Sequence, residues 1–242
     1  MFRSGALEGK QANRRHLTLA NGTGYWRSDL ILSSESDSPA PQAFLIQQDP
    51  DTVIGSHFHV QNQFQVVAEG EGTLGRHRVA PINVHYASRH TGYGPIMAGS
   101  RGLSYFTLRA VTTPHAYFLP ESRDQMQSLP KRNLLGHSVA LSGAATLCAR
   151  TEAAVETIIE PQPDGVAAWL LRLPPNAALV PPERAEGADR FYLIGEGVMI
   201  ARSERLPRFA TAFVSSDERD FEPVAGAEGL EVLALQFPAH GG

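Results

Sequence analysis

A single cysteine, Cys148, occurs in the 242 residues of this chain. That excludes an intrachain disulfide and a paired-cysteine zinc signature, and it fits a reducing, cytoplasmic compartment. No window approaches the roughly 18 consecutive apolar residues that cross a bilayer. The basic start, Met1 to Gly22, has no apolar stretch of signal-peptide length behind it. Positive charge is also sparse: 21 Lys and Arg stand against 25 Asp and Glu, for a formal net charge of −4. The nearest basic clusters, Arg14-Arg15 and Arg76-His77-Arg78, are too short for a nucleic-acid footprint. No nucleophile elbow is present, and Cys148 reads as a small buried apolar residue rather than a nucleophile. The expected partner is a small-molecule ligand or substrate, with neither nucleic acid nor membrane.

The apolar pattern is that of strands. Ala43 to Ile46, Phe64 to Ala68 and Gly102 to Ala110 are short, rich in β-formers and bounded by Gly, Pro, Asn and Asp. The 22 glycines and 17 prolines are spread along the chain, as many strands joined by tight turns require. Helix is expected only over Ser122 to Ser128 and Ala144 to Thr157. The fold class is mainly β.

An internal repeat organises these strands. Ala43-Phe44-Leu45-Ile46 and Pro50 match Ala168-Trp169-Leu170-Leu171 and Pro175 at an offset of 125, and Gly70-Glu71-Gly72 recurs as Gly195-Glu196-Gly197 at the same offset. Ala98 to Leu103 recurs as Ala225 to Leu230 at an offset of 127. Duplication of one β unit follows, with the first unit over 1–113, a connector over 114–165 and the second unit over 166–242. Both Gly-Glu-Gly triplets read as turn glycines, because neither opens a helix as a phosphate cradle must.

The chemistry is concentrated in the first copy. Five of the nine histidines lie between positions 57 and 90. His57 and His59 point to the same face of a strand, since side chains alternate with period two, and Gln63 follows four positions later. Shifted by 125, His57 falls on Pro182, His59 on Arg184 and Gln63 on Ala188, and Tyr93 shifted by 127 falls on Asp220. The second copy therefore lacks the imidazoles. Its expected role is structural or interfacial, packing on the first copy or mediating a homodimer.

These residues carry a resemblance to the cupin superfamily. His57-Phe58-His59, three residues, Gln63, six residues and Gly70 reproduce the spacing of the first cupin motif, with Gln in the Glu slot and Asp51 where the leading glycine belongs. Ser88 to Pro95 resembles the second motif, with Tyr93 in the His slot. The resemblance implies two jelly-roll barrels in tandem with a few short helices, the second barrel degenerate, and a site in the mouth of the first.

Three kinds of chemistry are compatible with that site. A divalent metal (Fe, Mn, Ni or Zn) suits two inward imidazoles, with Gln63 and Tyr93 completing the set and His85, ahead of His90, as a further ligand. The resemblance then implies a metal-dependent dioxygenase or a related isomerase or lyase. The Gln63 amide removes the negative charge a carboxylate would set against the ion. Alternatively, a metal-free site would use His57 or His59 as base and Tyr93 as acid, as some sugar epimerases of the superfamily do. The third reading is a binding module lined by Phe58, Gln63, Phe64, Gln65, Tyr93 and Tyr105. His77, between two arginines, is expected at the surface.

Overall fold

The computed structural model describes residues 1–7, 13–19, 22–33, 40–113 and 115–239. Strands dominate, and the chain divides into two compact units, Lys10–Val139 and Met1–Gly9 taken with Ala140–Gly242.

In the first unit the strands are β2 (Arg15–Thr18), β3 (Gly24–Ile31), β4 (Gln42–Gln48), β5 (Val53–Ile54), β6 (His57–Phe58), β7 (Gln63–Leu74), β8 (His77–Val79), β9 (Val84–Ala87), β10 (Ile96–Arg109), β11 (Tyr117–Phe118) and β12 (Asn133–Leu135), counting Phe2–Gly5 as β1. The main sheet runs β12-β9-β7-β10-β4-β3-β2, with β6 and β11 forming a separate ribbon. Period-two alternation sorts β10 into two faces: Phe106 and Leu108 are fully buried on one, and Tyr105, Thr107 and Arg109 lie on the other.

The second unit holds helix α1 (Ala144–Cys148) and strands β13 (Ala154–Ile159), β14 (Ala167–Leu173), β15 (Ala188–Ala201), β16 (Glu204–Pro207), β17 (Thr211–Val214) and β18 (Val224–Ala239). Its sheet runs β1-β17-β15-β18-β14-β13, so the first strand of the chain completes the second unit. Its core gathers Trp169, Leu171, Tyr192, Ile194, Met199 and Val232, among others.

Several expectations change. The stretch expected as a connector over 114–165 is divided between the units, because β12 pairs with β9 and β13 pairs with β14. The helix expected over Ala144 to Thr157 stops at Cys148, and β-branched Val155, Thr157, Ile158 and Ile159 form strand instead. Around Ser122 only a 3-10 turn forms, Arg123–Gln125. Cys148 is exposed, its thiol 3.4 Å from the Glu228 carbonyl.

The Gly-Glu-Gly triplets are not turns but lie inside β7 and β15. At Gly70 (φ +78°) a Cβ would sit 2.2 Å from the Gly102 carbonyl oxygen; at Gly197 (φ +77°) it would sit 2.2 Å from that of Gly229. Leu103 faces Gly70 and Leu230 faces Gly197, so these strands correspond at an offset of 127 rather than 125. Gln63 therefore corresponds to Arg190, not Ala188.

Candidate functional site

Cross-strand pairing assembles the site. His57 and Tyr93 exchange both backbone hydrogen bonds, each 3.0 Å, across an isolated bridge. That juxtaposition brings the Tyr93 hydroxyl within 2.7 Å of His57 Nε2. The turn that carries His90 (φ +56°) supports the next histidine from behind, since His90 N–H donates to the His59 carbonyl at 2.7 Å. The rings of His57 and His59 then meet edge to face, their centroids 5.3 Å apart.

Arg109, at the end of β10, was not singled out by sequence reasoning. It lies opposite Gln42 on β4, and one position beyond the Leu108–Phe64 pair that joins β10 to β7. Its guanidinium, 4% exposed, donates from Nε and Nη2 to Gln63 Oε1 at 3.2 and 2.9 Å, from Nη1 to Gln42 Oε1 at 2.8 Å, and from Nη2 to His59 Nε2 at 3.1 Å. One signal was present: an arginine closing the alternating run Phe106-Thr107-Leu108 of β10. The register that sets it against Gln63 was not.

Donor chemistry settles every proton in this cluster. Arginine only donates, so His59 Nε2 accepts, and His59 Nδ1–H donates to the His115 carbonyl at 3.0 Å. Gln63 takes the guanidinium on its oxygen and donates its amide N–H to the Tyr93 oxygen at 2.6 Å. Tyr93 O–H donates to His57 Nε2, whose Nδ1–H donates to the Gly55 carbonyl at 2.7 Å. Glutamine suits this position because it both accepts and donates, whereas a carboxylate only accepts.

Burial keeps the cluster in these forms. It pulls the His57 imidazole down to about 4, with Arg109 adding to the effect and the Gly55 carbonyl opposing it. Burial, then Arg109 and His57, hold His59 well below the usual histidine range. Burial pushes the Tyr93 phenol up to about 12, against Arg109 and Gln63. Arg109 is lowered by burial to about 10 and stays cationic at neutral pH.

The cluster opens on a cavity of about 320 Å³, lined among others by Phe44, Ile46, Gln65, Tyr105, Thr107 and Phe118. That volume suits a small organic molecule. Of the residues expected to line it, Phe58 instead stacks on Tyr117 with centroids 5.0 Å apart, and Phe64 packs on Tyr86 from the core face. His85 is buried on β9, between Gln65 Oε1 at 2.9 Å and Asn133 Oδ1 at 3.2 Å. It meets the Tyr93 ring at 5.2 Å but lines a neighbouring cavity of about 270 Å³. His90 faces Gln127 and Lys131 rather than the cluster. His77 is exposed.

No family model matches the sequence, and no curated protein matches it. Solved structures do match the fold. The bacterial pirin YhhW of Escherichia coli, in complex with nickel(II), is 11% identical with a TM-score of 0.59, over 99% of this chain and 100% of that one. The fold is that of the cupins. The match to oxalate decarboxylase from Bacillus subtilis (11% identity, TM-score 0.56) covers 99% of this chain and 76% of that one. An 11S globulin from Wrightia tinctoria with an auxin binding site (11%, TM-score 0.60) covers 94% and 83%. At these identities the likeness carries the fold and not the chemistry.

The residues in place do not fit a bound divalent cation. Both Nε2 lone pairs that would face an ion accept hydrogen bonds, one from Tyr93 and the other from Arg109. The Gln63 oxygen is held by the same guanidinium. No cluster of three His, Cys, Asp or Glu suited to a metal occurs among the described residues. A second cation against Arg109 would meet direct repulsion at low dielectric.

Proposed function

We propose that the N-terminal barrel is a metal-independent acid/base site that isomerises a small organic molecule by proton transfer. The observation that carries this is Arg109: its guanidinium takes up the lone pairs of His59 and Gln63 that the cupin spacing would otherwise offer to a metal.

What remains is a coupled acid and base. A ligand in the cavity meets both His57 and Tyr93, which line it. His57, kept neutral by burial, accepts a proton from a carbon acid at Nε2 when Tyr93 turns its O–H to the ligand. Tyr93 donates its proton to a second position of the ligand, leaving a phenolate that Arg109 and the Gln63 N–H stabilise. The proton on His57 then returns to Tyr93 across their 2.7 Å hydrogen bond. One proton leaves the ligand and one enters, so the net change is an isomerisation that needs no oxidant or reductant. Positioned proton transfer of this kind contributes roughly 100- to 10,000-fold.

The test is solvent deuterium incorporation into small carbonyl and hydroxy compounds, followed by proton nuclear magnetic resonance with metal content measured alongside. Exchange is expected to survive chelation and to fall by about 100-fold or more in Tyr93→Phe. Metal is expected to be absent from the wild type and to bind once Gln63→Glu and Arg109→Leu are combined. Stoichiometric metal in the wild type, lost in His57→Ala/His59→Ala, would overturn the reading in favour of the metal-dependent chemistry of other cupins. Ligand binding without exchange would leave a binding module.

A further inference from the structure

Two arginines line the cavity, and their charges are handled differently. Arg27 is paired with buried Asp29 at 2.7 Å, a carboxylate it shares with Arg15. Arg109 meets only neutral acceptors among the described residues: the amides of Gln42 and Gln63 and the His59 imidazole. Among the described residues no Asp or Glu lines the cavity. A buried cation without a counter-charge is costly, and the cost is relieved when an anion arrives. Four of the five guanidinium N–H groups are engaged, which leaves one on Nη1.

Thr113 supplies an independent observation. It is 4% exposed and lines the same cavity, yet its hydroxyl has no hydrogen-bond partner. Buried hydroxyls are normally partnered, so an orphan on a residue that lines a cavity is open to a hydrogen bond from a ligand. One part of the remaining wall is apolar, with Phe44, Ile46, Ile54 and Phe118, and the rest carries polar groups that include Gln65 and Thr107.

We propose that the cavity takes a small organic carboxylate with an apolar body, its charge set against Arg109 and one hydrogen bond made to Thr113. This rests on the preceding reading, in which no metal displaces the guanidinium. The second barrel provides the contrast. Arg190 is as deeply buried and also meets neutral acceptors, both terminal nitrogens on the Pro182 carbonyl at 3.1 Å and one on Gln236, with its Nε left unpartnered among the described residues. The apolar side chains of Trp169, Tyr192, Val232 and Ala234 pack together in its interior, so no anion is expected there.

Calorimetric titration of the chelator-treated full chain tests this, using benzoate and phenylacetate against the neutral isosteres benzamide and phenylacetamide. The carboxylates are expected to bind at least about 10-fold more tightly than their amides, the scale of one charge-assisted contact. Arg109→Gln is expected to erase that preference. Thr113→Val is expected to weaken the carboxylates several-fold while circular dichroism stays unchanged, which covers the case in which the arginine variant fails to fold. Equal binding of amides and carboxylates, or no carboxylate binding at about 10 mM, overturns the proposal. The two readings fail separately. Small carbonyl and hydroxy carboxylates that bind but exchange no hydrogen remove the acid/base reading and leave this one. Exchange on neutral compounds, with no preference for the anion, does the reverse.

Discussion

The two barrels carry one buried device in opposite orientation. In the first, Arg109 of β10 reaches across to Gln63 of β7; in the second, Arg190 of β15 reaches Gln236 of β18. At the offset of 127 seen in these strands, each arginine corresponds to the other barrel's glutamine. An aromatic ring lies 5.3 Å from each guanidinium, Phe44 in one and Trp169 in the other, a favourable placement for a cation. A buried arginine–glutamine pair is thus common to both units. What distinguishes the first barrel is what surrounds it. Where it has Gln65, Tyr105 and Thr107 around a cavity, the second has Tyr192, Val232 and Ala234 inside a packed core. The two differ less in having a buried arginine than in the space beside it.

The sharpest test of this duplication is at the glycines. Gly70→Ala and Gly197→Ala each force a Cβ onto a carbonyl oxygen at positive φ, and each is expected to destabilise its barrel by on the order of 4 kcal/mol. Equal losses in urea unfolding, located to one barrel by hydrogen-exchange mass spectrometry, would support a shared architecture; a loss at only one site would break it.

Acid should separate the barrels next. Burial holds His57 and His85 near 4, below the 6.5 of an unfolded chain. Between those values the unfolded state binds protons that the native state refuses. The first barrel is therefore at full stability above about pH 6.5 and loses a few kcal/mol as the pH falls towards 4. The described part of the second unit contains no histidine, so its exchange protection is expected to hold over that range. Parallel losses in both barrels would contradict this.

A smaller difference is expected at the arginines. Arg190→Leu strands the Gln236 oxygen and the Pro182 carbonyl in a packed interior, at a cost of about 3 kcal/mol. Arg109→Leu strands Gln63 and His59 beside a cavity that admits water, and about half that loss is expected. Denaturant midpoints give the ranking, and a reversed order would mean that Arg109 is the more structural of the two. The smallest effect belongs to Tyr93→Phe. Removing the hydroxyl leaves Gln63 N–H and His57 Nε2 without their partner, and a loss of about 1 kcal/mol is expected. Its far larger effect on exchange would then be chemical rather than structural.

Much of this was legible in the chain. Alternation and breaker residues mark β4, β7 and β10, and the His57-x-His59 spacing together with Gln63 and Tyr93 identifies four members of the cluster. Cys148 and the 144–157 segment were misread because exposure, and the choice between a short helix and a strand, depend on neighbours that a local window does not contain. The 125-residue alignment of the Gly-Glu-Gly triplets failed for a related reason. Two glycines in a strand look alike in sequence, and only cross-strand pairing and positive φ identify Gly70 and Gly197 as the equivalent pair.

By itself, the sequence determined the strand-rich architecture and the placement of the His57-x-His59 pair in only one of the two matching segments, because each rests on local periodicity or composition. Tertiary structure alone decided that Arg109 lies against His59 and Gln63. That contact joins strands 46 and 50 residues apart, and its existence depends on register, where a slip of one residue would turn the guanidinium to the opposite face.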